Sequence, residues 1–98
     1  MVLRMNRDNV IRREQKFDKG SSYLYELVMR HGDATANWQT PLYSVRIYMV
    51  DPMGNNRQAD ARDIFSDKAD AEAFFDKVVR NLATPIDLAY ILEDEFAS

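Results

Sequence analysis

The sequence predicts a two-layer α+β fold, with an antiparallel meander of three or four strands followed by two C-terminal helices packed on one sheet face. Hydrophobic residues recur with a period near two before about residue 65 and near 3.6 after it. Turn-forming residues separate the periodic segments, and helix-capping residues precede the later ones. The length of 98 residues fits a single domain over 1–98, with 1–9 as a candidate flexible segment.

Two segments carry the clearest strand pattern, residues 23–30 and 42–50. The first places Tyr23, Tyr25, Leu27 and Met29 on one face, and the second repeats this alternation from Tyr43. Residues 10–17, which are more charged and less regular, are a candidate first strand before a turn at 18–21. A short strand is predicted at 57–61, after the turn at 51–56. The helix-covered face is predicted to contain Tyr25, Leu27, Met29, Val45, Ile47 and Met49.

The two helices have clear start signals. Ser66 or Asp67 can cap a helix that runs to about Leu82 and buries a stripe through Phe75 and Val78. In the second helix, Thr84 is the predicted cap, Pro85 the first helical residue and Asp87 the capping-box acid. The buried positions of this helix are predicted to be Leu88, Ile91 and Leu92, with Phe96 as a further candidate. Ile86 and Tyr90 are predicted to lie on its outer side.

Composition excludes several classes of chemistry. The chain has no cysteine and one histidine, so disulfide scaffolds, thiolate metal sites and histidine metal clusters are excluded. The three glycines are too far apart for a phosphate-binding loop. We therefore expect no cofactor, no metal and no enzymatic activity. The basic start lacks the apolar stretch of a secretory signal, and no apolar run has the length of a membrane span, so the default expectation is a cytoplasmic protein.

The net charge of −3 is unevenly distributed along the chain. Residues 1–19 contain six basic and three acidic side chains, whereas residues 66–98 contain three basic and eight acidic ones. The basic start suggests nucleic-acid binding through Arg4, Arg7, Arg12, Arg13, Lys16 and Lys19. Because the whole chain is acidic, a charged edge strand that resists aggregation is the favoured interpretation.

Three segments resemble a small family of uncharacterised bacterial proteins, a domain of unknown function, over about residues 23–96. They are the tyrosine-rich strand 23–27, the strand-to-helix junction 61–67 and the C-terminal segment from Thr84-Pro85-Ile86-Asp87-Leu88 to Phe96. The resemblance implies the same α+β fold. It transfers no activity, substrate or site residue.

Other polar groups have structural interpretations that we favour over functional ones. His31 is followed by Asp33, but no nucleophile is evident, so we expect a polar strand end. The run Asp60, Asp63, Asp67 and Asp70 lacks the spacing of a cation-binding loop and suits a helix start. The acids at 93–95 oppose the helix dipole, which suggests a solvated end or an acidic contact for a basic partner.

The candidate interface is the second sheet face together with the loop that contains Trp38. Trp38 lies in a long polar connection, either as a lid over the core edge, which we favour, or as an interface anchor. The second face combines Glu26 and Arg46 with apolar residues, where a purely solvated face would be polar. Either scattered surface apolars or a two-fold homodimer explains this mixture. The candidate interface residues are Leu24, Val28, Trp38, Tyr48 and Val50.

These observations predict a cytoplasmic, non-enzymatic protein–protein interaction module that acts as a homodimer and has an unidentified protein partner. The alternative is a nucleic-acid-binding accessory protein that uses the basic N-terminal segment.

Overall fold

The computed structural model describes residues 8–30 and 41–96. Four strands form one antiparallel sheet in the order β1-β2-β3-β4. Their bounds are β1 Asp8–Asp18, β2 Ser21–Arg30, β3 Leu42–Val50 and β4 Asn56–Phe65. Helices α1 Lys68–Arg80 and α2 Pro85–Phe96 follow and pack on one sheet face. The predicted α+β meander is confirmed, with a full fourth strand and with β1 beginning inside the segment 1–9.

The core lies between the helices and the sheet face that the alternation pattern predicted. Tyr25, Leu27, Val45 and Ile47 are fully buried, whereas Met29 and Met49 are half-buried near the ends of their strands. Burial of each large apolar side chain contributes roughly 1.5–3 kcal/mol. The helical side of this core consists mainly of Ala71, Phe74, Phe75, Val78 and Leu88. Most of the large buried apolar side chains therefore lie on one side of the sheet.

The hairpin turns follow from residues that tolerate special backbone angles. Lys19 and Gly20 both have positive φ, which fits a tight two-residue turn whose twist matches the paired strands. In the next turn, the Asp51 carboxylate accepts hydrogen bonds from the backbone N–H groups of Met53 and Asn55, each at 2.9 Å. These hydrogen bonds hold the pKa of Asp51 below its ordinary value, with the bond from Asn55 as the largest cause.

Two register shifts modify the edge strands. In β1, the shift between Val10 and Arg12 lets Ile11 pack against the core while Arg12 still reaches α1. In β4, pairing is interrupted after Ala61 and resumes at Phe65, opposite Tyr43. The prediction of a short strand at 57–61 was therefore too short. The local pattern breaks at this bulge, although the strand continues beyond it.

Both helices begin at the predicted caps. The Asp67 side chain accepts from the Asp70 N–H at 3.0 Å. At α2, Thr84 and Asp87 form the predicted capping box, in which each side chain accepts from the backbone N–H of the other.

The end of α1 is a left-handed cap centred on Leu82, which has φ of 51°. The Leu82 and Ala83 N–H groups donate back to the carbonyls of Val79 and Val78, which satisfies the last turn of the helix. The helix therefore ends at Arg80, slightly before the predicted end at Leu82.

The outer side of α2 matches the predicted pattern, since Ile86 and Tyr90 are exposed. Phe96 is also mostly exposed, but the centre of its ring lies 5.5 Å from the centre of the Phe65 ring on β4. No helix within residues 8–30 and 41–96 has the length and apolar content needed to cross a membrane.

One buried hydrogen bond ties the centre of the sheet to the connection between the helices. The Tyr25 hydroxyl donates to the Ala83 carbonyl at 2.8 Å, and burial raises the pKa of this tyrosine. The carbonyl belongs to the short segment that turns the chain from α1 into α2. The sheet thus fixes where the second helix starts.

We expect Tyr25→Phe to lower the free energy of unfolding by about 1–2 kcal/mol, because the Ala83 carbonyl loses its buried donor. Thermal denaturation should show a decrease in Tm of roughly 5–10 °C. Tyr90→Phe, at an exposed position on α2, is the matched control and should leave Tm unchanged. An equal Tm for Tyr25→Phe and wild type would contradict this role.

Candidate functional site

The candidate site is the sheet face turned away from the helices, here called the open face. Strand pairing places residues 22, 24, 26, 28 and 30 of β2 on this face, opposite alternate residues of β1 and β3. Four of the five candidate interface residues lie on it: Leu24, Val28, Tyr48 and Val50. The fifth, Trp38, and His31 lie outside the described residues. The structure therefore places the four described candidates on one face of the sheet.

A row of alternating charges crosses the middle of the open face. Arg13 on β1, Glu26 on β2, Arg46 on β3 and Asp60 on β4 occupy directly paired positions. The Arg13 and Glu26 side chains are 2.9 Å apart. Arg46 lies 3.8 Å from Glu26 and 3.7 Å from Asp60. We call these four residues the charge ladder.

Exposure changes along the charge ladder. The Glu26 side chain is only 8% exposed, and it has a guanidinium group on each side. A buried carboxylate needs such partners, since an unpaired charge is costly to remove from water. The Arg13 side chain is 59% exposed and that of Asp60 is 32% exposed. The two ends of the ladder are therefore the parts that an incoming molecule can reach most easily.

An apolar patch lies beside the charge ladder, toward the end of the sheet that carries both hairpin turns. It consists of Phe17, Leu24, Tyr48 and Val50, here called the turn-end patch. Leu24 and Tyr48 are paired across β2 and β3 and are half-buried. Phe17 is 72% exposed, and together with Val50 it lines a shallow depression over the β1–β2 turn. The face thus combines a charged centre with an accessible apolar end.

The opposite end of the open face contains a buried valine and a group of hydrogen-bonded polar side chains. Val28 is 2% exposed and pairs with Ser44, whose Oγ accepts from the Asp63 N–H at 2.8 Å. Arg30 Nε donates to Asp63 Oδ1 at 2.9 Å, and a second guanidinium nitrogen pairs with the other carboxylate oxygen. This hydrogen bonding by Arg30 holds the pKa of Asp63 below its usual range. Val28 is therefore buried in the folded chain and offers almost no surface to a partner, unlike the turn-end patch.

The described basic residues of the N-terminal segment do not share one surface. Arg12 points to the helices, where it lies 2.9 Å from Asp76 and 4.9 Å from the centre of the Phe75 ring. Arg13 points to the open face and pairs with Glu26. Arg4 and Arg7 lie outside the described residues. Nucleic-acid binding through this segment stays a prediction.

Several acidic residues that the sequence singled out have structural partners. Asp60 pairs with Arg46, Asp63 with Arg30, and Asp67 caps α1. Glu95 lies 3.4 Å from the Lys77 ammonium of α1, so part of the acidic C-terminal segment joins the two helices. Within residues 8–30 and 41–96, no group of three or more acidic or histidine side chains is arranged to hold a metal ion.

Sequence reasoning identified Glu26 and Arg46 on this face but missed Arg13, Asp60 and Phe17 as part of the same site. Alternation within a strand shows which residues share a face, but it does not show which residues of neighbouring strands are paired. The alternating charges at 13, 26, 46 and 60 could have indicated the strand register, once an antiparallel order had been assumed, because pairing them places opposite charges side by side.

Comparison with known protein families gives a match over nearly the whole chain. The model of a family of unknown function, DUF6514, matches residues 7–98. This confirms the resemblance to a domain of unknown function and extends it beyond residues 23–96. No curated protein and no solved structure matches the chain.

The Asp63–Arg30 pair predicts a pH-dependent effect of Asp63→Asn. Because the folded-state pKa of Asp63 is lowered, ionisation of this carboxyl stabilises the fold at neutral pH. The stabilisation relative to Asp63→Asn should be complete above the ordinary aspartate pKa of about 4, and should fade as pH falls toward the lower folded value. Asparagine tolerates the positive φ at this position, so the substitution should not destabilise the fold through backbone strain.

Urea denaturation of both proteins between neutral and strongly acidic pH measures this difference. Asp94→Asn, at an exposed position on α2, is the control for loss of one negative charge. A stability difference that stays constant as the pH falls would refute the role of the ion pair.

Proposed function

The chain belongs to DUF6514, a family of unknown function, and we propose that it is a cytoplasmic, non-enzymatic interaction module that acts as a homodimer through its open face. The observation that carries the proposal is the turn-end patch beside the charge ladder. Both helices of the described residues, 8–30 and 41–96, pack on the other face and leave this apolar surface without a helix over it. A second copy of the sheet can supply the missing layer.

The open face has enough area for a specific dimer. Strands of nine to eleven residues form it. A rise of ~3.3 Å per residue and a spacing of ~4.8 Å between strands give a footprint of roughly 600 Å². Two such footprints would bury roughly 1,200 Å², which lies at the lower end of the range for specific interfaces.

The composition of the face also suits a dimer that forms between folded subunits. Phe17, Tyr48 and Val50 offer aromatic and aliphatic surface, and aromatic anchors supply much of the binding energy at interfaces. The charge ladder keeps the rest of the face polar, so an isolated subunit remains compatible with water. This combination favours reversible self-association.

Light scattering after size exclusion tests the proposal. We expect a mass of about twice 11.4 kDa at high protein concentration and a shift toward one chain mass on dilution. Phe17→Lys should weaken the dimer at least about tenfold, because it places a charge in the turn-end patch.

Tyr90→Lys is the matched control. Tyr90 is 66% exposed, close to the 72% of Phe17, but it lies on the outer side of α2. This variant should dimerise as the wild type does. A wild-type protein that remains monomeric at every concentration would overturn the proposal. Retardation of DNA or RNA at low salt by such a monomer would favour the nucleic-acid alternative.

A further inference from the structure

The charge ladder has a symmetry that bears on how a second copy can dock. Its signs run positive, negative, positive, negative from β1 to β4, in the order of the strands across the sheet. The row is therefore antisymmetric about the line between β2 and β3. Reversing the order of the strands converts every positive position into a negative one.

Two face-to-face dimers with aligned strands are possible when the two-fold axis lies between the sheets. An axis across the strands places each strand over its own copy, so Arg13 faces Arg13 and Asp60 faces Asp60. An axis along the strands places β1 over β4 and β2 over β3 of the second copy. Each charge then faces a charge of opposite sign, and like-charge contacts, which disfavour wrong pairings, are avoided.

We propose that the open face binds a second copy of this chain about a two-fold axis parallel to the strands, with Arg13 of each subunit facing Asp60 of the other. The inference rests on the proposed function and adds the orientation of the subunits. The same axis brings the turn-end patch of one subunit over that of the other, with Leu24 facing Tyr48. The charged row of one subunit thereby lies over that of the other, while Phe17 faces Asn56 and Val50 faces Ser22 in the row nearest the turns.

The exposure pattern fits pairing at the two ends of the ladder. Glu26 is already enclosed by two arginines within its own subunit, so a second copy changes its surroundings little. Arg13 is mostly exposed and Asp60 is one-third exposed, which leaves both able to meet a partner. Two Arg13–Asp60 contacts then flank the centre of the dimer and select its orientation.

Charge reversal distinguishes this orientation from the other one. Arg13→Glu should weaken the homodimer at least about tenfold, since the introduced carboxylate would face Asp60, and Asp60→Arg should do the same. A one-to-one mixture of the two variants should dimerise well, because every facing pair is again opposite in sign. The doubly reversed chain should also recover dimerisation. Lys16→Glu, on the other face of β1, is the control for the change in net charge.

Single reversals that leave the wild-type affinity unchanged would overturn the proposed axis, even though the protein would still be a homodimer. A wild-type monomer would instead refute the proposed function and this inference together. Thermal denaturation of each variant shows whether it folds. If a reversed variant fails to fold, Arg13→Gln and Asp60→Asn replace the two reversals, and each should weaken the dimer less strongly.

Cross-linking gives an independent readout, since the chain contains no cysteine. With packed sheets ~10 Å apart and strands ~4.8 Å apart, positions 13 and 60 of opposite subunits lie about 10 Å apart, whereas the two copies of position 13 lie about 17 Å apart. A short thiol-reactive linker should therefore join Arg13→Cys to Asp60→Cys. Efficient linking of Arg13→Cys to itself would contradict the axis.

Discussion

Two short helices can cover only one face of a four-stranded sheet, and this limit shapes the rest of the molecule. The large buried side chains that form the core belong to the covered face and to the helices. The Tyr25 hydroxyl anchors the helix connection from the sheet side, so the second helix starts over the same face. Among the elements that the structure describes, none packs on the open face as a second layer.

The charge ladder suits an open face on which no described element packs. Exposed ion pairs contribute little to stability, about 0–1 kcal/mol each. Their main effect here is to place a nearly buried carboxylate, Glu26, between two guanidinium groups and to keep the centre of the face polar. Its alternating order also makes the surface complementary to itself. The same residues thus serve the isolated fold and the proposed assembly.

Much of the fold could be predicted because the relevant forces are local or periodic. Side chains alternate across strands, capping groups sit beside helix starts, and tight turns require particular residues. The bulges could not be predicted, since Ile11 and Asp63 occupy positions that depend on contacts with other elements. The candidate site was predictable only in part. The positions of Leu24, Tyr48 and Val50 follow from alternation within β2 and β3. Phe17 could not be placed in the same way, because it belongs to β1, whose alternation is weak.

The sequence by itself determined the α+β class, the two central strands, the two helices and the identity of the covered face, because these depend on patterns within one segment at a time. The tertiary structure decided which residues of different strands face one another. Register depends on turn geometry and bulges far from the residues that become paired. For that reason Arg13, Glu26, Arg46 and Asp60, which are far apart along the chain, become one row only in the folded sheet.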